Sequence, residues 1–120
     1  MAERVDMLPE PNGTVVGEWL AHNFGPERDV NEQALVLTEE VGELARALVK
    51  RSQGIRGTWS EWSREVRKEA ADVYIALLAI AATEGFSLRD ESALRWAEVS
   101  ARDFRADPIG HGMPGGESRG

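Results

Sequence analysis

Apolar positions along the chain recur at helical spacing, and the segments that carry them are bounded by helix start and stop residues. Residues 1–13 hold Pro9, Pro11 and Gly13 and are expected to form an extended arm. A short helix is predicted over about Thr14 to Asn23, closed by Gly25-Pro26. Asp29-x-x-Glu32 has the form of a capping box and opens a second helix that runs to about Ser52. Gly54 and Gly57 break the chain, and Thr58-x-x-Glu61 starts a third helix that ends before Gly85. Ser87-x-x-Asp90 starts a fourth, expected to stop before Pro108. No internal repeat and no alternating strand pattern is present. Connections of roughly five to eight residues favour antiparallel neighbours. The fold class expected is all-α: an antiparallel bundle of about four helices per chain, assembling as a homo-oligomer. The domain is expected over 14–107, followed by a Gly-rich flexible tail, 108–120.

The second and third helices each carry two acids in an apolar setting. On the second, Leu37, Val41, Leu44 and Leu48 are read as the core stripe, with Glu40 and Glu43 on its border and Glu39 pointing further out. On the third, Glu69 falls inside the stripe of Val66, Val73, Ala76 and Ile80, with Asp72 at its edge. The charge-free run Val73 to Thr83 is apolar nearly all round and is expected to be buried. At 11 residues it is short of the roughly 20 that a membrane span needs. Buried carboxylates must be paired, protonated or metal-bound, because each isolated charge costs several kcal/mol. No Lys or Arg occupies either inner row, and Lys68 is offset. Glu40, Glu43, Glu69 and Asp72 therefore form a candidate oxygen cage for a hard cation, Mg²⁺ first and Mn²⁺ as a substitute. A pair of solvated acidic helix faces is the plainer alternative.

Composition narrows the partners. With 14 basic and 21 acidic residues the net charge is −7, which disfavours a nucleic-acid polymer as ligand. It leaves room for a small phosphorylated ligand held through metal. The absence of cysteine excludes disulfides, thiol catalysis and zinc–thiolate sites, and suits a cytoplasmic location. No signal peptide is visible at the start of the chain, and no membrane association is expected.

Glu39-Glu40-x-x-Glu43, followed after 25 residues by Glu69-x-x-Asp72, resembles the EExxE…ExxD signature of the MazG-like, all-α nucleoside triphosphate pyrophosphohydrolases. The likeness extends through Val41-Gly42-Glu43-Leu44-Ala45 and Ala71-Asp72-Val73 and covers about residues 19 to 105. It implies hydrolysis of a nucleoside or deoxynucleoside triphosphate between the α and β phosphates, giving a monophosphate and pyrophosphate. It implies that Glu40, Glu43, Glu69 and Asp72 hold Mg²⁺, and it leaves Glu39 three roles: orienting the attacking water, binding metal through water, or standing as a solvent-facing acid. It also implies a homodimer or homotetramer. Charge balance adds that at least two Mg²⁺ ions would be needed beside a triphosphate.

Lys50, Arg51 and Arg102, the last placed on the fourth helix, are candidates for phosphate contact. Trp59 is a candidate for stacking on a base, although the first expectation for it is packing. The chain has Trp96 and Ser100 where many members of the family carry a lysine and, four residues later, an asparagine. A phosphoribosyl-ATP pyrophosphohydrolase shares the acid spacing, and a catalytically silent helical nucleotide- or metal-binding oligomer is a reading of another class.

Overall fold

The computed structural model describes residues 4–113. Among them are four α-helices and no strand: α1 (Gly13–Phe24), α2 (Val30–Gln53), α3 (Trp59–Glu84) and α4 (Leu88–Val99). A single 3-10 turn, Val5–Met7, lies in the N-terminal arm. The chain divides into two compact units, Met1–Phe86 and Ser87–Gly120.

In the first unit α3 is the central element and packs against both α1 and α2. Its start is fixed locally. The Thr58 side chain accepts from the Glu61 N–H, and the Glu61 carboxylate accepts from the Thr58 N–H, completing the capping box. Thr58→Ala removes one half of this exchange and is expected to lower stability by about 1 kcal/mol, measurable as a shift of the denaturation midpoint. At the other predicted box only half forms: Asp29 caps α2 by accepting from the Asn31 N–H. Gly54 in the left-handed region closes α2 and turns the chain through the short loop into α3. Arg51 Nη1 donates to Ser63 Oγ at 3.2 Å, and Arg46 stacks on Trp62. Earlier α2 residues meet later α3 residues, so the two helices form an antiparallel hairpin.

The contacts are made by small side chains. Val16, Ala47, Ala76, Leu78, Ala79 and Ala81 are the buried apolar residues, with Ala81 wholly enclosed. Gly17 lets α1 come close to α3, since a Cβ there would lie 3.2 Å from that of Ala82. The inward stripe of α2 runs through Gln33, Leu37, Glu40, Leu44, Ala47 and Arg51, of which Ala47 is buried and the others are half-buried. This corrects the expected stripe, because Val41 and Leu48 face outward. Glu40 is therefore inside the packed row rather than at its border. On α3 the expectation of burial all round also fails. Tyr74, Ile75 and Leu77 are each more than a third exposed, since α1 and α2 cover only one side of the helix. No helix among the described residues is by itself long and apolar enough to cross a membrane.

The second unit begins with α4, capped by the Ser87 side chain, which accepts from the Asp90 N–H. The helix ends at Val99, well before Pro108. Carboxylates compete with the helix there: Asp103 accepts from the N–H groups of Arg105 and Ala106, turning the chain. The buried Asp107 accepts from the Gly112 N–H, and the Asp103 N–H donates to the Gly112 carbonyl. The first residues of the expected tail are thus tied back within this unit. Positions 114–120 lie outside the described residues.

Candidate metal and nucleotide site

The α2–α3 hairpin brings three of the predicted acids together. One carboxylate oxygen from each of Glu40, Glu43 and Glu69 lies within 4.8 Å of the others. Glu69 is buried, Glu40 is half-buried and Glu43 is exposed. Oε2 of Glu40 and Oε2 of Glu69 are both withdrawn from solvent without a hydrogen-bond partner among the described residues. Asp72, one turn after Glu69, is half-buried and lines a cavity together with Glu40. Glu39 stands outside the trio and is exposed, as its helical position predicts.

Lys68 alters the expected electrostatics. Its ammonium lies 3.0 Å from Glu69 Oε1 and 3.8 Å from Asp72 Oδ2. The side chain was expected to be offset from the inner row, but its long stem reaches back to the carboxylates. It leaves the second oxygen of Glu69 free.

The proton affinities divide accordingly. Burial, then the charges of Asp72, Glu69 and Glu39, push the Glu40 carboxyl above its ordinary value. Glu43 is raised chiefly by the facing Glu69 carboxylate, with the Glu40 charge adding to it. Glu69 is lowered, first by its hydrogen bond from Lys68. Lys68 is raised by the same bond. Between the ordinary value of 4.5 and the raised values of Glu40 and Glu43, the folded chain holds more protons than the unfolded one. Stability of the metal-free protein therefore falls as pH rises through that window. Glu69 and Glu61 act in the opposite sense, adding stability above 4.5 that is lost as pH falls through their lowered values. Thermal melts of metal-free protein are expected to show a higher midpoint near pH 4.5 than near neutrality. A midpoint that climbs steadily over that range contradicts the geometry.

The cavity beside the acids has a volume of about 660 Å³. It lies among α1, α2 and α3, and its apolar wall includes Val16, Trp19, Leu20, Phe24, Val36 and Ile75. Gln33 and Glu32 also line it. Glu32 stands out in the sequence only as a capping residue, and Gln33 not at all, although Gln33 lies seven residues before Glu40, two helical turns along one face. Basic groups gather at the opposite, looped end of the hairpin. Arg51 stacks on Trp59 at 4.5 Å from the ring centre, and Lys50 Nζ lies 3.5 Å from Gln53 Oε1. Trp59 is 67% exposed, which corrects the expectation that it packs in the core; the Arg51 guanidinium lies over its ring. Trp19 and Trp96 are likewise exposed, whereas Trp62 is half-buried and donates to the Ile55 carbonyl. Arg102 lies beyond the end of α4 rather than on it, in the second unit.

Comparison with known proteins found no matching family model, no matching curated protein and no matching solved structure.

Proposed function

We propose that this chain is a Mg²⁺-dependent nucleoside triphosphate pyrophosphohydrolase, cutting between the α and β phosphates to release a nucleoside monophosphate and pyrophosphate. The observation that carries the reading is the convergence of Glu40, Glu43 and Glu69 at the edge of a nucleotide-sized cavity. The residue set fits a hard cation: the donors are carboxylate oxygens, and two of them are buried without a partner. The resemblance of the acid spacing to the MazG-like enzymes points the same way.

Glu40, Glu43 and Glu69 would hold the metal, with Asp72 completing the oxygen set once Lys68 moves aside. Bound there, Mg²⁺ (or Mn²⁺) neutralises phosphate charge and lowers the pKa of a water it binds. The chain's own residues do the rest. Lys68 keeps Glu69 ionised and so ready as a ligand. Glu39, exposed next to Glu40 in the chain, would orient water from the solvent side. Lys50 and Arg51, about two turns past Glu43, offer positive charge for the departing pyrophosphate. Trp59 sits with Arg51 at that end, so its place in this scheme is beside the phosphates rather than on the base. The apolar cavity wall at the other end of the acids receives the nucleoside.

The outward apolar residues of α2 and α3, including Leu35, Val41, Tyr74 and Leu77, support assembly of the chain with copies of itself. A homodimer or homotetramer is the proposed state, and a monomeric mass at micromolar concentration would contradict it. The proposed setting is the cytoplasm.

One observation favours a silent, metal-free variant of this reading: Lys68 already pairs with Glu69 and Asp72. Titration of Mg²⁺ and Mn²⁺ into wild type and into a Glu40→Gln/Glu69→Gln variant separates the two. The proposal expects saturable binding by wild type and its loss in the variant. Equal behaviour of both proteins would remove the metal site, and the enzyme reading with it.

A further inference from the structure

We infer that Gln33 is the residue through which the cavity recognises a nucleobase, its carboxamide pairing with a base edge that carries a donor beside an acceptor. The inference rests on the reading of the neighbouring acids as a metal and phosphate site. Its own basis is separate. Both Nε2 and Oε1 of Gln33 are withdrawn from solvent and find no hydrogen-bond partner among the described residues. A buried amide left unsatisfied at both ends is costly and uncommon. Gln33 lines the same cavity as Glu40 and Asp72, so a ligand held there can supply what the protein does not. The apolar part of that wall suits a flat aromatic ligand, because Trp19, Phe24, Val16 and Ile75 offer apolar and aromatic surface, while Glu27, Arg28, Asp29 and Glu32 make up its charged rim.

The order of groups along α2 gives the ligand a direction. Gln33 precedes Glu40 by two turns, about 10 Å along the helix axis, which suits the reach from a base edge across a sugar to the first phosphate. Arg46, Lys50 and Arg51 follow Glu43 toward the loop. A triphosphate would thus lie with its base at Gln33, its phosphates across the acids and its far end at the basic tip. A carboxamide can pair with two adjacent base atoms at once, donating through Nε2 and accepting through Oε1. With no partner among the described residues, it can turn to suit either order of donor and acceptor.

The test is equilibrium binding, in Mg²⁺, of the non-hydrolysable α,β-methylene triphosphates of adenosine, guanosine, cytidine and uridine, with base-free ribose 5-triphosphate as the reference. Wild type is compared with Gln33→Leu and Gln33→Met. The tightest nucleotide is expected to bind both variants roughly tenfold to a hundredfold more weakly, while ribose 5-triphosphate binds all three proteins alike. Both variants are expected to melt at or above the wild-type temperature, since an unpartnered amide has been replaced by an apolar group. The inference is overturned if the variants bind the nucleotide as wild type does, if the reference weakens in parallel, if wild type shows no preference for any base over none, or if both variants fail to fold. The hydrolase reading fails independently: base-dependent binding without pyrophosphate release from the hydrolysable parents would sink that reading and leave the role of Gln33 standing.

Discussion

Glu43→Gln is expected to make the metal-free protein more stable and to abolish nearly all of the proposed pyrophosphohydrolase activity. Opposite signs follow from one arrangement. Without metal, Glu43 faces the carboxylate of Glu69 and the charge of Glu40, and its own proton affinity is raised for that reason. A neutral amide of the same shape removes a like charge and can donate to Glu69. With metal, the same substitution deletes one anionic ligand from a group of three. Changes to groups that merely support a metal ligand cost roughly 10–100-fold in affinity or activity, so loss of a ligand itself should cost more than about a hundredfold. The measurements are the thermal midpoint without metal and the rate of Mg²⁺-dependent pyrophosphate release. A variant that is both less stable and fully active would show that Glu43 is an ordinary surface acid.

Ala47→Leu is expected to damage fold and site together. Ala47 is 2% exposed and lies one turn beyond Glu43, on the side of α2 that meets α3. Ala47 is the buried residue of α2, so a larger side chain there must push the helices apart or adopt a strained rotamer. Overpacking of this kind costs about 1–3 kcal/mol. Separation of α2 from α3 also draws Glu43 away from Glu69, so Mg²⁺ affinity should fall in parallel. Leu35→Ser is the contrasting case. Leu35 is 71% exposed on the same helix, and its replacement should leave metal affinity intact while shifting the oligomeric mass downward. A drop in stability for Ala47→Leu with unchanged metal affinity would separate the packing from the site.

The helices were legible in the sequence because their ends are chemical. Thr58, Ser87 and Asp29 cap where side-chain oxygens meet free backbone N–H groups, and Gly54 and Gly85 supply left-handed closures. The end of α4 was not legible. Pro108 marks the latest point at which a helix could stop, but Asp103 captures the N–H groups of Arg105 and Ala106 earlier. The juxtaposition of Glu40, Glu43 and Glu69 could be read from periodicity, because i, i+3 spacing on two adjacent helices leaves few other arrangements. The exact buried face could not. Large apolar residues drew the expected stripe toward Val41 and Leu48, whereas the close contact is made by Ala47 and the half-buried Glu40. A face of small residues carries a weaker hydrophobic signal than the exposed face beside it, particularly when the latter has its own apolar side chains. Lys68 was missed for a related reason, since its backbone position is offset and only its reach brings it to Glu69. Gln33 carried no motif at all, and only the cavity gives it significance.

The central claim, cleavage of a triphosphate between its α and β phosphates at the Glu40–Glu43–Glu69 cluster, is tested most directly by a product-resolved screen. Common and modified ribo- and deoxyribonucleoside triphosphates, with phosphoribosyl-ATP included, are incubated with the protein in Mg²⁺ or Mn²⁺. At least one nucleoside triphosphate is expected to yield its monophosphate and pyrophosphate in equal amounts, only with metal, and Glu69→Gln is expected to abolish the release. Absence of product from every triphosphate, or release of orthophosphate and a diphosphate instead, would contradict the central claim.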